Sequence, residues 1–347
     1  MFTKTMFTKT KIDPKVPRLR FTPIVDTAPL PDLIQVQKDS YRWFLDHGLQ
    51  ELFEEVSPMK DNFGRDMELH FVGYYLDEPK FDEITSKKKN ISYETPLRVK
   101  TKLVNKKTGK TTQQEIYLGD FPVMTDRGTF IINGVERVIV SQLIRSAGVF
   151  FTSEAARGRR FYGAKIIPNR GAWLELETDT NNVLWVKIDR KRKVAATSLL
   201  RAFGYGTNEE ILELFKDADT DPDVQYIAQT LEKDVAENEE DGLIEVYKRI
   251  RPGDMATPEN ARSLIHAMFF NFDRYDFDVV GRYKMNQRFD MNVPVTKENR
   301  VLRREDLVEI LKEIIRLNNS QRDADDIDHL GNRRVRAVGE QLKNKFR

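Results

Sequence analysis

The sequence predicts an α+β fold in which a region of mixed antiparallel strands and helices is interrupted by a largely helical region with a β-hairpin. Three observations lead to this fold class. Apolar and polar residues alternate in several segments before residue 145, an Asn133-Gly134 pair stands between two apolar runs, and helical spacing dominates after Ala195. With 347 residues, 39% hydrophobic and 32% charged, the chain has room for two or three domains and much surface.

The first predicted element is a helix over Pro31 to Val56, because apolar residues recur there at helical spacing and proline suits a first turn. Its predicted buried face consists of Leu33, Val36, Phe44, Leu45, Leu49, Leu52 and Phe53.

Strands follow in the same region. Alternation predicts strands over residues 67–71 and 97–103, and the Asn105 to Lys110 turn leads into a partner strand around Ile116 and Leu118. Asn-Gly between apolar runs is typical of a two-residue hairpin turn, so residues 129–140 are predicted to form a hairpin.

In the second region, Trp173 to Ile188 is predicted to form a hairpin around the Asp179 to Asn182 turn. Helices are predicted to begin after Thr207 and at Thr257-Pro258, and a third to cover Glu305 to Leu317. The acidic stretch from Glu209 to Asp241 is expected to face solvent, away from any nucleic acid.

Both ends of the sequence are unusual. Residues 1–5 and 6–10 are identical, and the basic residues and prolines that follow predict a flexible basic tail over residues 1–21. Apolar spacing from Arg334 to Arg347 predicts a helix that is still in pattern at the last residue. We therefore expect a fragment of a longer polypeptide.

Composition excludes several classes of site. The absence of cysteine excludes disulfides and thiolate metal sites, and the four histidines form no zinc-type pair. No phosphate-binding loop or nucleophile elbow is found. No apolar run approaches the roughly 20 residues of a membrane helix, so no membrane partner and a cytoplasmic location are expected.

One acidic cluster lies between Asp323 and His329. Carboxylates at this density suit a magnesium or manganese site, as in a small metal-dependent nuclease. The preferred interpretation is a polar loop and helix start, where carboxylates accept hydrogen bonds from free N–H groups.

Three basic clusters indicate nucleic-acid contact. The net charge of +2 creates no global field, so binding must come from local patches. Phe161, Tyr162, Trp173 and Trp185 accompany the first two and suit base stacking. The clusters are Arg157, Arg159, Arg160, Lys165 and Arg170; Lys187, Arg190, Lys191, Arg192 and Lys193; and Arg333, Arg334, Arg336, Lys343 and Lys345. A stand-alone single-stranded nucleic-acid binding module is one function that fits this pattern.

Several ordered runs resemble bacterial RNA polymerase β subunits. They include GDFPVMTDRGTFIINGVERVIVSQLIRSAGVFF from Gly119, IIPNRGAWLELETD from Ile166, and DDIDHLGNRRVRAVGE from Asp325. The resemblance implies a protrusion domain over residues 22–144 and 326–347, interrupted by a lobe domain over residues 145–325.

The resemblance also implies a non-catalytic, DNA-gripping and factor-docking part of DNA-directed RNA polymerase, a nucleotidyltransferase in the bacterial nucleoid. The implied partners are the α, β′, ω and σ subunits, promoter and downstream DNA, and transcription factors. No cofactor is expected on this chain, because the catalytic Mg²⁺ of the family is held by the β′ subunit.

Residue roles follow from the same resemblance. The implied DNA contacts, including a pocket for an unpaired guanine of the non-template strand, are Arg145, Trp173, Asp328, Arg333, Arg336, Lys191 and Arg192. The implied edge of the rifamycin site is Arg137, Val140 and Gln142. The implied factor-docking strand contains Thr112, Gln113, Glu115 and Ile116. For Arg145 and Asp328 the alternative is a buried ion pair that fastens the domain junction.

The sequence departs from the family pattern at two places that bear on these roles. Ala147 replaces the usual proline after Arg145, which removes a constraint on the backbone of that turn. Thr111, Thr112 and Gln113 replace an Ile-Lys-Glu run found in some relatives, which alters the expected choice of docking partner.

Overall fold

The computed structural model describes residues 9–13, 16–19, 31–61 and 65–347, with side chains from residue 31 onward. The chain divides into two compact units. Unit 1 comprises the chain up to Gln142 together with Arg336–Arg347, and unit 2 comprises Leu143–Val335.

The described helices, in chain order, are α1 (Gln35–Trp43), α2 (Leu49–Val56), α3 (Glu83–Lys88), α4 (Ala196–Ala202), α5 (Asn208–Phe215), α6 (Tyr226–Lys233), α7 (Glu239–Ile250), α8 (Pro258–Ile265), α9 (Asp278–Phe289), α10 (Arg304–Ser320) and α11 (Val338–Phe346). The described strands are β1 (Lys9–Asp13), β2 (Val16–Leu19), β3 (Met59–Lys60), β4 (Met67–Leu76), β5 (Glu94–Asn105), β6 (Thr111–Pro122), β7 (Phe130–Ile132), β8 (Val135–Arg137), β9 (Gln142–Arg145), β10 (Gly148–Ala156), β11 (Arg159–Ile167), β12 (Leu174–Thr178), β13 (Leu184–Ile188), β14 (Val194–Ala195) and β15 (Arg333–Arg336). The predicted α+β class is confirmed.

Unit 1 is built on a four-stranded antiparallel sheet in the order β3-β4-β5-β6, which contains the predicted strands. One helical rod covers it, because a π-helical turn at Phe44–Gly48 joins α1 to α2. Phe44 stacks on Phe121 with ring centroids 5.5 Å apart, and Leu97 and Val99 of β5 are fully buried beneath them. Strands β1 and β2 pair within the predicted tail, whose other residues lie outside the described ones.

The start of the predicted first helix is wrong. The helix begins at Gln35 rather than Pro31, and Leu33 and Val36 are 91% and 58% exposed. Full burial on this helix begins at Tyr41, and the described part of the chain does not cover Leu33 or Val36. Helical periodicity predicts which face of a helix is apolar, but not how much of that face other elements cover.

The hairpin predicted around Asn133-Gly134 is confirmed. Strands β7 and β8 pair, and φ is 50° at Asn133 and 78° at Gly134, as in a type I′ turn. Glu136 on β8 accepts hydrogen bonds from Lys87, Thr129 and Arg127, which lower its pKa to about 2. The turn is therefore held both by its backbone and by a charged cluster at its base.

Unit 2 contains a five-stranded antiparallel sheet in the order β10-β11-β12-β13-β14, packed against helices α4 to α10. The predicted hairpin is β12–β13, but it forms only part of this sheet. Strands β10 and β11 were not predicted. Their apolar residues are nearly continuous over part of each strand, which hides the alternation of apolar and polar residues expected of a strand. The predicted caps are confirmed, since the side chains of Thr207 and Thr257 accept the N–H groups of Glu210 and Asn260.

The expectation that the acidic stretch faces solvent is wrong for two of its residues. Asp234 is 1% exposed on its side chain and accepts hydrogen bonds from the hydroxyls of Thr197 and Ser198. Asp219 accepts the N–H groups of Tyr226 and Ile227 at the start of α6, and burial raises its pKa. Both carboxylates satisfy internal polar groups, which charge density along the sequence does not reveal.

The predicted final helix also begins later than expected. Residues 333–336 form strand β15, and α11 starts at Val338. Val335, predicted to lie on the buried face, is 57% exposed, whereas Val338 is buried. Phe346 packs edge-on against Phe53 and Phe121, which ties α11 to the core of unit 1.

Candidate nucleic-acid interface

Arg145 and Asp328 face each other at the surface of unit 2. An Arg145 Nη2 lies 4.0 Å from an Asp328 carboxylate oxygen, with side-chain exposures of 38% and 77%. This is not the buried, bidentate pair that would fasten a junction, since an exposed pair at this distance contributes about 0–1 kcal/mol. Both groups keep free hydrogen-bonding capacity toward solvent.

The loop that carries Asp328 is ordered by its own hydrogen bonds. Asp326 Oδ1 accepts the N–H of Asp328 at 3.0 Å, and the Asn332 side chain donates to the Asp326 carbonyl at 2.7 Å. The N–H of Ser146 donates to the Asn332 carbonyl at 2.9 Å, which attaches the loop beside Arg145. The turn with Ala147 in place of proline is thus held by this bond and by burial of Ala147.

Trp173 lies beside the second basic cluster. It precedes β12, and its carbonyl accepts the N–H of Asp189 at 2.8 Å. The Arg190 guanidinium carbon is 5.5 Å from the centroid of the half-buried Trp173 ring. An aromatic surface and a cation therefore meet at one point of unit 2, as base stacking beside a phosphate requires.

Arg190 also lines a groove whose walls come from two distant segments of the chain. Lys191 and Arg192 follow it in the loop between β13 and β14, and Lys248 and Arg249 belong to the last turn of α7. The Lys191 ammonium donates to the Ile250 carbonyl, which joins the two walls. The groove is lined by Arg190, Lys191, Arg192, Lys248, Arg249 and Pro252, and is called the basic groove below. Glu245 pairs with Arg249 at 2.5 Å and so offsets one of these charges.

The predicted contacts Arg333 and Arg336 are both half-buried. The Nε of each is buried without a hydrogen-bond partner among the described residues. Arg336 donates to Gln142 Oε1 at 2.7 Å, which brings a predicted DNA contact against a residue predicted for the drug site. The side chain of Gln341 in turn donates to the carbonyl of Val140 at 3.0 Å.

Two aromatic residues of the first basic cluster cannot stack on bases as predicted. Tyr162 is fully buried and Phe161 is 9% exposed, because they lie on opposite faces of β11 and both faces are covered there. Phe161 to Ala164 are consecutive buried positions, so β11 is covered on both faces at this point. Of the aromatic residues named for stacking, Trp173 and Trp185 remain half-buried.

The acidic cluster is engaged in local contacts. Asp325 accepts the N–H of Phe151 at 2.9 Å and pairs with Arg288 at 3.0 Å, and Asp323 pairs with Arg160 at 3.1 Å. Within the described ranges, no group of three or more histidine, cysteine or acidic side chains is placed to hold a metal ion. The same ranges contain no helix that is long and apolar enough to cross a membrane.

The predicted docking strand is β6, at the edge of the unit 1 sheet. It pairs with β5 on one side and has no second neighbour among the described residues. Its first eight residues are all exposed, and the side chains of Ile116 and Tyr117 are 40% and 51% exposed. Arg137 and Val140, predicted at the drug site, are exposed as well.

Lys248 and Arg249 were missed by sequence reasoning. They lie more than fifty positions after the loop that they join in space, at the end of an acidic stretch that hides their charge in any sequence window. The signal that could have revealed them is the clustering of cations in the last turn of a helix, where they complement the helix dipole.

Comparison with known proteins gives one matching family model and relatives that carry the same subunit name. Residues 145–336 match the family model described as RNA polymerase Rpb2, domain 2. The chain is 46% identical over 334 residues to the DNA-directed RNA polymerase subunit beta of Syntrophomonas wolfei subsp. wolfei (strain DSM 2245B / Goettingen), covering 96% of this chain and 29% of that protein. It is 46% identical over 362 residues to the subunit of the same name from Chloroflexus aggregans (strain MD-66 / DSM 9485), covering 96% of this chain and 30% of that protein.

The chain thus spans less than a third of the length of these curated relatives. The family model nevertheless covers more than half of the chain, and the identity extends through both units. The chain belongs to the RNA polymerase β-subunit family and corresponds to an amino-terminal part of a bacterial β subunit.

Proposed function

We propose that unit 2 holds DNA in a transcribing polymerase, and that the basic groove carries most of the non-specific attraction. The supporting observation is the convergence of cations from two segments on one groove. Cations that neutralise phosphates release condensed counterions, which makes this attraction strong at low salt and independent of sequence. Lys191 and Arg192 act here together with Lys248, while Glu245 limits the contribution of Arg249.

Replacing Lys191, Arg192 and Lys248 together by alanine is expected to weaken binding of the chain to a duplex of mixed sequence. Because each lost phosphate contact changes the salt slope of log K by about 0.9, the slope should become shallower by up to about three such increments. The matched control replaces Lys60, Lys80 and Lys88, three exposed lysines of unit 1, by alanine. An equal effect of both triple variants would mean that net charge, rather than the groove, determines binding.

We further propose that the exposed Arg145–Asp328 pair is a reading pocket for an unpaired guanine of the non-template strand. A carboxylate can accept from the N1–H and N2–H₂ groups of guanine, and a guanidinium can donate to O6 or phosphate. Trp173 would stack on the neighbouring base. Arg333 and Arg336 would contribute contacts to the DNA backbone, because guanidinium groups donate hydrogen bonds to phosphate oxygens.

At the level of the whole enzyme, we propose that the chain serves RNA synthesis without contributing catalytic residues. The catalytic Mg²⁺ would be held by the β′ subunit, and the partners would be the α, β′, ω and σ subunits in the nucleoid of the cell. The proposed lobe, residues 145–325, lies within unit 2, and the proposed protrusion comprises residues 22–144 and 326–347. The identity to two bacterial β subunits supports this assignment.

A second function, docking of transcription factors, is favoured by the exposure of β6. Unpaired N–H and C=O groups at a sheet edge accept an added strand readily. We propose that Thr112, Gln113, Glu115 and Ile116 belong to such a docking strand. Factors that couple transcription to repair are candidate partners, on the resemblance noted above.

For the proposed rifamycin edge, Val140→Phe in an assembled polymerase is expected to reduce inhibition by the drug at least about tenfold, because added volume overfills a packed pocket. Val140 is 72% exposed on this chain, so the larger ring should leave folding unchanged. The measurement is the inhibitory concentration in a transcription assay, with Val135→Phe, also on an exposed valine, as the control. Unchanged sensitivity of the Val140 variant would remove Arg137, Val140 and Gln142 from the drug site.

A further inference from the structure

The turn between β13 and β14 holds two consecutive non-glycine residues in the left-handed region. The angle φ is 50° at Asp189 and 59° at Arg190, and the N–H of Lys191 closes the turn on the Ile188 carbonyl at 3.0 Å. This conformation brings the Cβ of an L-residue close to the following carbonyl oxygen, so each position destabilises the fold. Aspartate tolerates it better than most residues do, which makes Arg190 the more strained of the two.

Two other hairpin turns of the chain adopt the same signs of φ with glycine in the second place. In the turn at Asn133-Gly134, φ is 50° and then 78°. In the turn at Arg157-Gly158, φ is 52° and then 77°. Glycine has no Cβ and enters this region freely, so it would form the backbone at position 190 without strain. An arginine there lowers stability, and strained residues of this kind cluster at functional sites.

Contacts on both sides hold the strained turn in place. The N–H of Asp189 donates to the Trp173 carbonyl at 2.8 Å, which attaches the entry of the turn to the residue before β12. Beyond the turn, the Lys191 ammonium donates to the Ile250 carbonyl at the end of α7. The backbone of Arg190 is therefore fixed from two directions, while its side chain stays exposed.

The fixed backbone places the Arg190 guanidinium at two features at once. Its carbon lies 5.5 Å from the centroid of the Trp173 ring, within the range of a cation–π contact, and the same residue lines the basic groove. Arg249 of that groove is paired with Glu245, whereas no acid among the residues that the structure describes forms an ion pair with Arg190. Its N–H donors are therefore available to a ligand.

We propose that Arg190 is a positioning residue that joins the stacking site to the basic groove. Its guanidinium supports one face of the Trp173 ring and donates to the phosphate of the nucleotide whose base stacks on the other face. The strain of the Asp189-Arg190 turn is the loss of stability that accompanies this placement. The inference rests on the proposed DNA-holding function of unit 2. It defines the ligand at this end of the groove as a single DNA strand, because a base must be unpaired to stack on an indole.

The stability of Arg190 variants gives the first readout. Arg190→Gly relieves the strain of a Cβ in the left-handed region and loses the contact with Trp173, and these two effects oppose each other. The melting temperature of the chain should therefore not fall. Arg190→Ala loses the same contact but keeps the strained Cβ, so it should melt about 2–4 °C below Arg190→Gly.

Binding of an oligothymidylate of about 15 nucleotides to the full chain gives the second readout, by fluorescence anisotropy over a range of salt. Arg190→Gly is expected to weaken binding at least about fivefold at low salt, because a hydrogen bond to a charged group is lost. The salt slope of log K should become shallower by about 0.7, the value for one phosphate of a single strand. The matched control Arg157→Gly removes the same charge from a turn with the same signs of φ, and should change binding less than about twofold.

Trp173→Ala separates this inference from the function on which it rests. Because both side chains act on one nucleotide, Arg190→Gly should have at least about a threefold smaller effect in the Trp173→Ala background. If Trp173→Ala weakens binding but the effect of Arg190→Gly is the same in both backgrounds, or no larger than that of Arg157→Gly, Arg190 adds only charge and the inference is overturned. An Arg190→Gly chain that melts as low as Arg190→Ala would also overturn it, since the turn would then not be strained. If Trp173→Ala leaves binding unchanged, the proposed stacking function itself is wrong.

Discussion

Replacing Arg282 by alanine is expected to lower the free energy of unfolding of unit 2 by about 3–5 kcal/mol, because it leaves Asp306 buried without its partner. Both side chains are 0% exposed, and two hydrogen bonds of 2.8 and 2.7 Å join the guanidinium to the carboxylate. Arg282 also donates to the Val301 carbonyl at 2.6 Å. The same carboxylate accepts the N–H of Arg303 at the start of α10.

Urea unfolding of the chain measures this loss. The control is Arg262→Ala, which breaks an ion pair with side-chain exposures of 63% and 41% and should cost about 0–1 kcal/mol. The double variant Arg282→Met with Asp306→Leu should recover much of the stability, because no charge is left buried. A double variant as unstable as Arg282→Ala would show that packing, and not the unpaired carboxylate, causes the loss.

Much of the fold could be predicted where a local pattern decides the structure. The Asn133-Gly134 turn needs only two residues with positive φ, and the Thr207 and Thr257 caps need only a hydroxyl before a helix. Predictions that depended on distant partners were less accurate. Leu33 and Val36 have the right spacing but are left exposed by the described residues, and strands β10 and β11 show too little alternation.

The residues of the candidate interface also differ in whether a local pattern or the fold reveals them. Lys191 and Arg192 are visible in the sequence as a basic run, whereas Lys248 becomes part of the same groove only when α7 folds beside that loop. The sequence also could not distinguish Trp173, half-buried beside Arg190, from Tyr162, which is fully buried. Exposure is a property of the packed sheet, and the residue type does not reveal it.

In a polymerase that contains this chain, Asp328→Ala is expected to remove about 1–3 kcal/mol of preference for guanine over thymine at one non-template position. The carboxylate is 77% exposed, and its distance of 4.0 Å from Arg145 makes a weak ion pair. Its loss should therefore leave the fold intact. Trp173→Ala should weaken binding at the adjacent base by about 1–3 kcal/mol, as expected when a stacking surface is removed. Asp323→Ala, which removes a carboxylate with 97% side-chain exposure, is the matched control.

The most direct test of a reading pocket in unit 2 is the ratio of the two dissociation constants, guanine against thymine at that position, for the wild type and for Asp328→Ala. It is measured together with the melting temperature of each protein. The reading pocket predicts that the ratio falls toward one while the melting temperature stays unchanged. A lower melting temperature with an unchanged ratio would contradict it and would make Asp328 a structural partner of Arg145.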